Sequence, residues 1–368
     1  KRVDVDVDQM LATVEPGVLW GEYDAATQAH GLASPGGEVS HTGVAGLTLG
    51  GGIGWLSRRF GLACDHLVAA EVVLADGSIV TASETERPDL LWALRGGGGN
   101  FGVVTRFTFR LRHVGPMAAG LVLHPMDRAA DVLELAEAVR RDAPDEVAFV
   151  AALVTAPPAP WVPEQFRLQP AAAIAACYVG PIDDGHAALA PIRGFGEPVV
   201  DTFGVHRYTD IQRWFDEGVP HGRHYYLRSE WLNALGADAI GALVEAGAGR
   251  TSPLSQVLVR SMGGAIARVP PGATAFRFRD ADYLLTIVAA WDPPDAAAED
   301  HRTWCRAAWS ALRPASAGGG YVNHLTNEGQ DRVREAYGDE TWNQLVAIKD
   351  AYDPTNLFHM NQNIPPSR

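Results

Sequence analysis

The sequence has 368 residues, of which 47% are hydrophobic and 20% are charged, with 39 glycines and 24 prolines. This describes a loop-rich globular protein and favours two domains of roughly 100–200 residues each. The 44 acidic residues exceed the 30 basic ones and give a net charge of −14, which argues against a nucleic acid partner. No uncharged apolar run reaches about 18 residues, so no segment is expected to span a membrane.

The three cysteines, Cys64, Cys177 and Cys305, lie far apart in the chain. Their odd number and the lack of C-x-x-C spacing indicate neither a disulfide framework nor a zinc site, and we expect no bound metal. A reducing, cytoplasmic location is favoured. Residues 1–8 resemble a strand and carry neither an initiator Met nor a signal-peptide core, so we expect the sequence to be truncated at this end.

Up to residue 114, short β-type runs alternate with turn residues and with two helical stretches. The β-type runs are 12–14, 72–74, 79–81 and 107–111, and the helices are 19–30 and 88–94. The Asp76-Gly77 pair between two apolar runs predicts a hairpin. This first part is therefore expected to be an α+β lobe.

After Pro116, longer helices alternate with apolar strands. The pattern predicts helices at 128–142 and 237–245, strands at 147–154, 171–179, 257–261 and 283–291, a proline-rich loop at 157–163, a helix at 330–351 ended by Asp353-Pro354, and an extended tail at 356–366. Polar residues at every second position of 224–230 and 276–279 predict an antiparallel sheet with helices on one face, although the wholly apolar runs fit this less well. The other face would then be free to line a substrate cavity.

Two segments are rich in glycine. Residues 43–54 contain six glycines in twelve positions, and residues 95–104 contain a second cluster. Such density lets backbone amides approach a phosphate or a flat cofactor ring, although a loop needed only for tight packing has the same composition. Neither segment matches a Walker loop or a Rossmann fingerprint.

Several segments, taken in order and spacing, are similar to one known family. They are Ser34-Pro-Gly-Gly37, residues 43–54, Gly61-Leu-Ala-Cys-Asp65, residues 89–104, Tyr321-Val-Asn323, and Tyr352-Asp-Pro-Thr-Asn-Leu-Phe358 followed by Asn361-Gln-Asn-Ile364. Together they cover essentially the whole chain and resemble the berberine-bridge-enzyme-like FAD-linked oxidases.

This resemblance implies an α+β fold in which a PCMH-type FAD-binding domain, of the vanillyl-alcohol-oxidase kind, adjoins a substrate domain. The substrate domain would be an antiparallel sheet covered by helices on one face. The expected domains are 1–115 for FAD binding, with its first lobe absent from the chain, 116–330 for substrate binding, and 331–368 as a segment that returns to the FAD domain.

The resemblance also implies which residues bind the cofactor. They are Val39, Thr42, Gly43, Gly46, Leu47, Gly50, Ile53, Val104, Tyr321 and Asn323. Gly43, Gly46 and Leu47 would contact FAD through the backbone, and the main chain of Val104 would meet the adenosine end. Tyr321 and Asn323 would reach the flavin ring from the substrate domain, although Tyr321 could instead be a buried strand tyrosine. Thr42 would face the reactive edge of the flavin.

Many members of the family bind FAD covalently through a histidine in an Arg-x-Gly-Gly-His stretch and through a cysteine four residues before the first glycine turn. That cysteine position is Val39 here, so a cysteinyl link is excluded. Cys64 is expected to pack in the core. We therefore expect FAD to be attached once, through a histidine that this chain lacks.

The family reaction passes a hydride to flavin N5 while a base removes a proton, and dioxygen then reoxidises the flavin. Sugar-oxidising members carry a tyrosine base three residues after the flavin-contacting tyrosine, and this sequence has His324 there. A histidine pKa near 6.5 suits a base near neutral pH, although a packed or solvated histidine is equally compatible with the pattern.

Tyr321 and Tyr226 are the other catalytic candidates. Strand alternation places His224, Tyr226 and Arg228 on one face and Tyr225 and Ser229 on the opposite one. One of these faces is expected to line the cavity, although an amphipathic strand with aromatic core packing has the same pattern. Arg277 and Arg279 could bind an acidic or hydroxylated substrate, or mark a solvated strand face.

We therefore expect an FAD-dependent oxidase of a small alcohol, sugar or amine of the secondary-metabolite type, with a small-molecule substrate and dioxygen as its partners. A flavin dehydrogenase with another electron acceptor and a catalytically idle flavin-binding or ligand-binding relative are the alternatives.

Overall fold

The computed structural model describes residues 1–360 and 362–368. The first part of the chain contains short strands and helices, which are β1 (Val3–Asp6), β2 (Leu11–Val14), α1 (Trp20–Gln28), β3 (Leu32–Ala33), α2 (Val44–Leu49), α3 (Ser57–Phe60), α4 (Ala63–His66), β4 (Leu67–Val73), β5 (Ile79–Ser83), α5 (Pro88–Leu94), β6 (Val103–Arg110) and β7 (Arg112–His113). A five-stranded sheet has the order β1-β2-β6-β4-β5. Its β4–β5 hairpin turns at Asp76-Gly77, where Gly77 has φ +82°, as the sequence predicts.

The rest of the chain forms a larger sheet with long helices. Its elements are β8 (Met117–Pro125), α6 (Ala129–Asp142), β9 (Val147–Thr155), β10 (Pro170–Tyr178), α7 (Ile182–Arg193), β11 (Val200–Asp201), β12 (Gly204–His206), α8 (Tyr208–Ile211), β13 (His224–Leu232), α9 (Ala237–Ala248), β14 (Gln256–Ser261), α10 (Ala265–Arg268), β15 (Tyr283–Trp291), α11 (Ala298–Leu312), β16 (Ser316–Gly318) and α12 (Gln330–Tyr352). The nine-stranded antiparallel sheet has the order β11-β8-β10-β9-β14-β15-β13-β16, and β12 also pairs with β8. Helix α12 is broken at Gly338, which has φ +69°, and packs against α5 of the first part.

The large sheet has a core on both faces. Helices α6, α7, α9 and α11 cover one face, which confirms the expected sheet with helices on one side. On the opposite face, Trp55 and Leu56 of the first part pack against Val150, Ala175 and Cys177. This double cover explains the wholly apolar strands, of which β15 is buried along its entire length. The expected domain limits at 115 and 330 stay a prediction.

One predicted strand is wrong. Residues 276–279 form an irregular connection, in which Phe276 and Phe278 pack against Trp231. Arg279 is only 3% exposed and donates hydrogen bonds of 2.7 Å to both carboxylate oxygens of Asp65. Arg279 therefore forms a buried ion pair between the two parts of the chain, whereas Arg277 is exposed and its guanidinium lies over the Phe278 ring.

A search of the described residues finds no helix that is both long enough and apolar enough to cross a bilayer. In the same residues, no group of three or more His, Cys, Asp or Glu side chains is arranged to hold a metal ion. The three cysteines are free and buried.

A buried ion pair ties the C-terminal motif to the second glycine segment. Lys349 and Asp353 are both fully buried, and Lys349 Nζ donates to Asp353 Oδ2 at 2.6 Å. The same ammonium donates to the carbonyl oxygens of Asn100 at 2.8 Å and Phe358 at 2.7 Å, so all three of its protons are used. The motif at 352–358 thus supports the loop that contains Asn100.

We expect Lys349→Met to lower the free energy of unfolding by about 3 kcal/mol, because it leaves the Asp353 carboxylate buried without its cation. Chemical denaturation measures this loss. Arg141→Met is the matched control: Arg141 forms an exposed pair with Asp142, at 66% and 67% side-chain exposure, and its loss should leave the free energy of unfolding nearly unchanged. Equal effects of the two variants would contradict the structural role of Lys349.

Candidate cofactor-binding and active site

A cavity of about 720 Å³ lies where the two glycine segments meet residues 321–325. Its walls contain seven of the residues predicted from the sequence, namely Thr42, Gly43, Gly46, Leu47, Tyr321, Asn323 and His324. The remaining lining residues are Leu49, Gly98, Gly99, Asn100, Val322, Leu325, Tyr337, Met360 and Gln362. Segments that are far apart in sequence therefore form one site.

The first glycine segment presents bare backbone to this cavity. Helix α2 begins directly after Gly43, and the first-turn amides of Ala45 and Gly46 have no intrahelical acceptor. A Cβ added at Gly43 or Gly46 would meet no atom within 4 Å, so these positions face open space. The arrangement leaves peptide N–H groups accessible to a ligand.

The glycines that follow α2 are required for close packing. A Cβ at Gly50 would lie 2.0 Å from Asn323 Oδ1, and one at Gly52 would lie 2.4 Å from the Cβ of Ala63. Gly52 also has φ +85°, a conformation that other residues rarely adopt. Gly50 is therefore placed behind the wall, where it admits Asn323.

The turn at 321–325 is held against the glycine segment by side-chain hydrogen bonds. Tyr321 Oη accepts from the Gly52 amide at 2.9 Å and from Asn323 Nδ2 at 2.7 Å. Asn323 Nδ2 also donates to the Leu47 carbonyl at 2.9 Å. On its other side, the Tyr321 amide donates to Ser229 Oγ of β13 at 3.1 Å. The turn thus bridges the two parts of the chain.

Tyr321 keeps one unused donor. It is 3% exposed, and burial raises the pKa of its hydroxyl, which stays protonated at neutral pH. The hydroxyl accepts two hydrogen bonds, but its own proton has no acceptor among the described residues. Because Tyr321 lines the cavity, this proton can be donated to a bound molecule.

His324 ends a chain of polar contacts that starts at a buried ion pair. Arg260 Nε donates to Glu38 Oε2 at 2.6 Å, and these side chains are 14% and 9% exposed. Arg260 Nη1 donates to Thr286 Oγ1 at 3.2 Å, and Thr286 Oγ1 lies 3.3 Å from His324 Nδ1. The His324 ring also lies 4.8 Å from the Tyr321 ring, edge to face. One edge of the imidazole is thereby oriented by Thr286.

The expected pKa of His324 needs correction. Burial, followed by the nearby positive charge of Arg260, lowers this pKa to about 3, far from the ordinary value near 6.5. His324 is therefore neutral at physiological pH. It can accept a hydrogen bond, but it binds a proton less readily than a solvent-exposed histidine.

The second glycine segment contributes residues that the sequence pattern did not single out. Asn100 is 4% exposed, and its Nδ2 donates to the carbonyl oxygens of Gly97 at 3.0 Å and Gln362 at 3.1 Å. Its Oδ1 accepts from the Ile364 amide at 3.0 Å. The asparagine directly after four glycines was the available signal. Asn361, in the motif at 361–364, lies outside the described residues.

Four of the predicted cofactor-binding residues do not line this cavity. Gly50 lies behind Asn323, and Ile53 packs in an apolar cluster with Trp231 and Tyr321. Val39 precedes Thr42 and accepts its amide hydrogen bond at 3.2 Å. Val104 lies in β6 at 5% exposure. Direct contact of these residues with FAD stays a prediction.

Tyr226 is not at the cavity. It packs within the core between the sheet and the helices, and Cys305 of α11 donates its thiol to the Tyr226 carbonyl. Its hydroxyl accepts from Arg228, whose guanidinium lies over the Tyr226 ring. Strand alternation correctly grouped these side chains on one face, but that face is the one covered by helices. The structure therefore places Tyr226 away from this cavity, and its catalytic role stays a prediction.

Two family profiles match the chain. The first, described as an FAD binding domain, covers residues 1–83 and contains the first glycine segment. The second, described as "Berberine and berberine like", covers residues 320–365 and contains the turn at 321–325. The first glycine segment and the turn at 321–325 therefore fall within matched regions, and the second glycine segment lies between them.

Curated relatives match over nearly the whole chain. An FAD-linked oxidoreductase of Dictyostelium discoideum is 33% identical over 370 residues, which are 100% of this chain and 78% of the relative. The xylooligosaccharide oxidase of Thermothelomyces thermophilus is 29% identical over 394 residues, covering 100% of this chain and 76% of the relative. The (R)-6-hydroxynicotine oxidase of Paenarthrobacter nicotinovorans is 29% identical over 378 residues, covering 99% and 79%.

The fold is also similar to that of solved structures. The BBE-like 1 protein of Physcomitrella patens superposes with a TM-score of 0.88 at 24% identity, covering 100% of this chain and 80% of that chain. The PCMH-type domain with an adjoining antiparallel sheet, as the sequence predicts, is confirmed.

We expect Gly50→Ala to reduce the flavin content of the purified protein by about tenfold. The new methyl group would displace Asn323 and break its hydrogen bonds to Leu47 and Tyr321, which together contribute on the order of 1–2 kcal/mol. The ratio of flavin to protein absorbance measures the effect. Gly241→Ala in α9 is the matched control, since a Cβ there meets no atom within 4 Å; equal flavin loss in both variants would contradict the role of Gly50.

Proposed function

We propose, because this chain belongs to the berberine-bridge-enzyme-like family of FAD-linked oxidoreductases, that it is an oxidase of a small molecule with a CH–OH or CH–NH group. In this reaction the substrate loses a hydride and a proton, and dioxygen is reduced to hydrogen peroxide. The relatives named as a xylooligosaccharide oxidase and a hydroxynicotine oxidase support this proposal. Its main support is that Tyr321 and His324 lie side by side in the wall of a cavity that both glycine segments also line.

The residues around the cavity fit FAD. Gly43 and Gly46 expose backbone without an obstructing Cβ, and Gly98 and Gly99 line the cavity from the second glycine segment. Tyr321 offers an unused hydroxyl proton, a suitable donor to a ring oxygen or nitrogen of a cofactor. When bound, FAD supplies the hydride acceptor.

In this proposal His324 binds the reacting group of the substrate. With its proton on Nδ1, the neutral imidazole donates to Thr286 Oγ1 and leaves Nε2 free to accept a hydrogen bond from the substrate O–H or N–H. Nε2 takes that proton as the hydride leaves. The low pKa makes His324 a weak base, so its main contribution is to orient the reacting C–H bond.

The cysteines are unsuited to hold FAD covalently. Burial raises the pKa of Cys177 and Cys305 to about 12 and also raises the pKa of Cys64, so none of the three forms a thiolate near neutral pH. Val39 occupies the position of the cysteinyl link and carries no thiol. The single histidyl attachment that the family resemblance implies is part of this proposal.

The oxidase activity is tested with the flavin-loaded protein in two steps. Anaerobic mixing with a substrate should bleach the flavin absorbance, and admitting air should restore it with one hydrogen peroxide for each substrate oxidised. Bleaching without rapid recovery in air would indicate a dehydrogenase. No bleaching by any alcohol, sugar or amine would contradict an oxidoreductase role for this cavity.

We expect His324→Gln to lower kcat/KM for flavin reduction by about 100-fold, because the glutamine amide cannot take up the substrate proton and does not reproduce the position of the imidazole Nε2. His30→Gln is the matched control, since His30 is exposed beyond the end of α1. Retained activity in His324→Gln would exclude His324 from the reaction.

The pH dependence of the reaction tests the pKa of His324. Because this pKa is lowered to about 3, the imidazole stays neutral across neutral pH, and the rate of flavin reduction should show no break near pH 6.5 from His324. Stopped-flow reduction between about pH 5 and pH 8 measures this. A break near 6.5 that disappears in His324→Gln would show that His324 titrates normally.

A further inference from the structure

The face of the large sheet that points away from its helices carries a row of side chains leading to the candidate active site. Strand register places Leu123, Ala173, Ala152, Leu258, Thr286 and Ser229 opposite one another across six adjacent strands. Their sequence neighbours Val122, Ile174, Leu153, Val259 and Leu285 lie in the helix-facing core, so the row faces the other way. Because Thr286 contacts His324, the row ends at the cavity.

The floor of this face is small and apolar. Ala152 and Leu258 are half-buried in the middle of the sheet, so open space remains above them. On one side, Leu258 packs against the cluster that contains Trp55 and Phe215. On the other side, Ala152 packs against a second cluster, whose members include Val162 and Phe166 from the loop after β9. The two clusters are the walls of a groove across the sheet, which we call the sheet groove.

The polar groups near the sheet groove are almost all used within the protein. Arg260 is paired with Glu38, Ser229 Oγ accepts from the Tyr321 amide, and the Tyr225 hydroxyl donates to the Pro220 carbonyl at 2.9 Å. Gln256 is half-buried next to the row, and among the described residues its side chain has no hydrogen-bond partner. Arg250 donates to the Val154 carbonyl at 2.9 Å, and its Nε and Nη1 have no partner among the described residues. At the other end of the row, Nε2 of His324 is free to accept a hydrogen bond.

This distribution discriminates between substrate classes. A sugar carries a hydroxyl on nearly every carbon, and each hydroxyl that is buried against Ala152 or Leu258 would lose its hydrogen bonds to water without replacement. An apolar ring or chain loses nothing polar there and gains from leaving water. One hydroxyl or amino group at the far end would meet His324.

We propose that the sheet groove binds a compact, mostly apolar alcohol or amine, oriented with its single oxidisable group at His324, and that it does not bind oligosaccharides. This inference rests on the proposed oxidase function and specifies its substrate class. It separates this chain from the relative named as a xylooligosaccharide oxidase, with which it shares 29% identity.

The inference is tested first with a substrate panel on the flavin-loaded protein. Anaerobic flavin reduction is measured with benzyl alcohol, cinnamyl alcohol and benzylamine on one side, and with xylobiose and cellobiose on the other. We expect kcat/KM to be at least about 100-fold higher for the best apolar compound. A preference for either disaccharide would overturn the inference but leave the proposed oxidase function intact.

A variant pair tests whether the sheet groove itself makes this selection. Leu258→Thr adds a hydroxyl to the floor and should raise KM for the best apolar substrate by about tenfold, with kcat little changed. Ile79→Thr makes a comparable change at an exposed β5 position, where Ile79 is 68% exposed, and should leave both constants unchanged. Thermal melting confirms that both variants are folded. An unchanged KM in folded Leu258→Thr would overturn the inference.

Binding calorimetry separates failure of the inference from failure of the proposed function. If no compound reduces the flavin, the proposed function fails, and the sheet groove is then judged by binding alone. Cinnamyl alcohol that binds the wild-type protein about tenfold more tightly than Leu258→Thr would support the apolar groove. Absence of binding to the wild-type protein would overturn it.

Discussion

The structure depends on one set of hydrogen bonds, those by which the turn at 321–325 is held to the first glycine segment. Tyr321 and Asn323 come from near the end of the chain, and they bind the Gly52 amide and the Leu47 carbonyl near its start. These bonds form because Gly50 has no side chain where Asn323 lies. The cavity exists only when both parts of the chain meet here. The site therefore forms only if the two parts pack together correctly.

Buried ion pairs also stabilise the interface between the two parts of the chain. Arg279 binds Asp65, Arg260 binds Glu38, and each pair joins the second part of the chain to the first part. A buried charge is strongly unfavourable unless it is paired, so these contacts penalise any arrangement that separates their partners. The Arg260 pair has a second effect, because its positive charge adds to burial in keeping His324 neutral. Arg260 thus contributes to the interface and, after burial, to the low proton affinity of the candidate catalytic residue.

The sequence predicts the limits of helices and strands correctly where interactions between residues close in sequence determine the conformation. Pro88–Leu94 and Tyr283–Trp291 were assigned with their observed limits, because proline at a helix start and a continuous β-rich apolar run are strong local signals. Residues 276–279 were misassigned because Arg279 has a distant partner, Asp65, that no local pattern reveals. The location of Tyr226 away from the cavity could not be predicted, because alternation groups residues on a face without telling which face the helices cover.

The sequence by itself determined the family, the α+β class, the two glycine segments and seven of the sixteen residues that line the cavity, since these depend on residue type and spacing along the chain. Only the tertiary structure decided which of these residues line the same cavity. It also decided that Gly50 leaves space for Asn323 instead of lining the cavity, and that His324 has a pKa of about 3. It also decided that the sheet groove is apolar. The physical reason is that burial, close approach and electrostatic environment are properties of neighbours in space, and His324, Thr286, Arg260 and Glu38 become neighbours only when the two parts of the chain pack together.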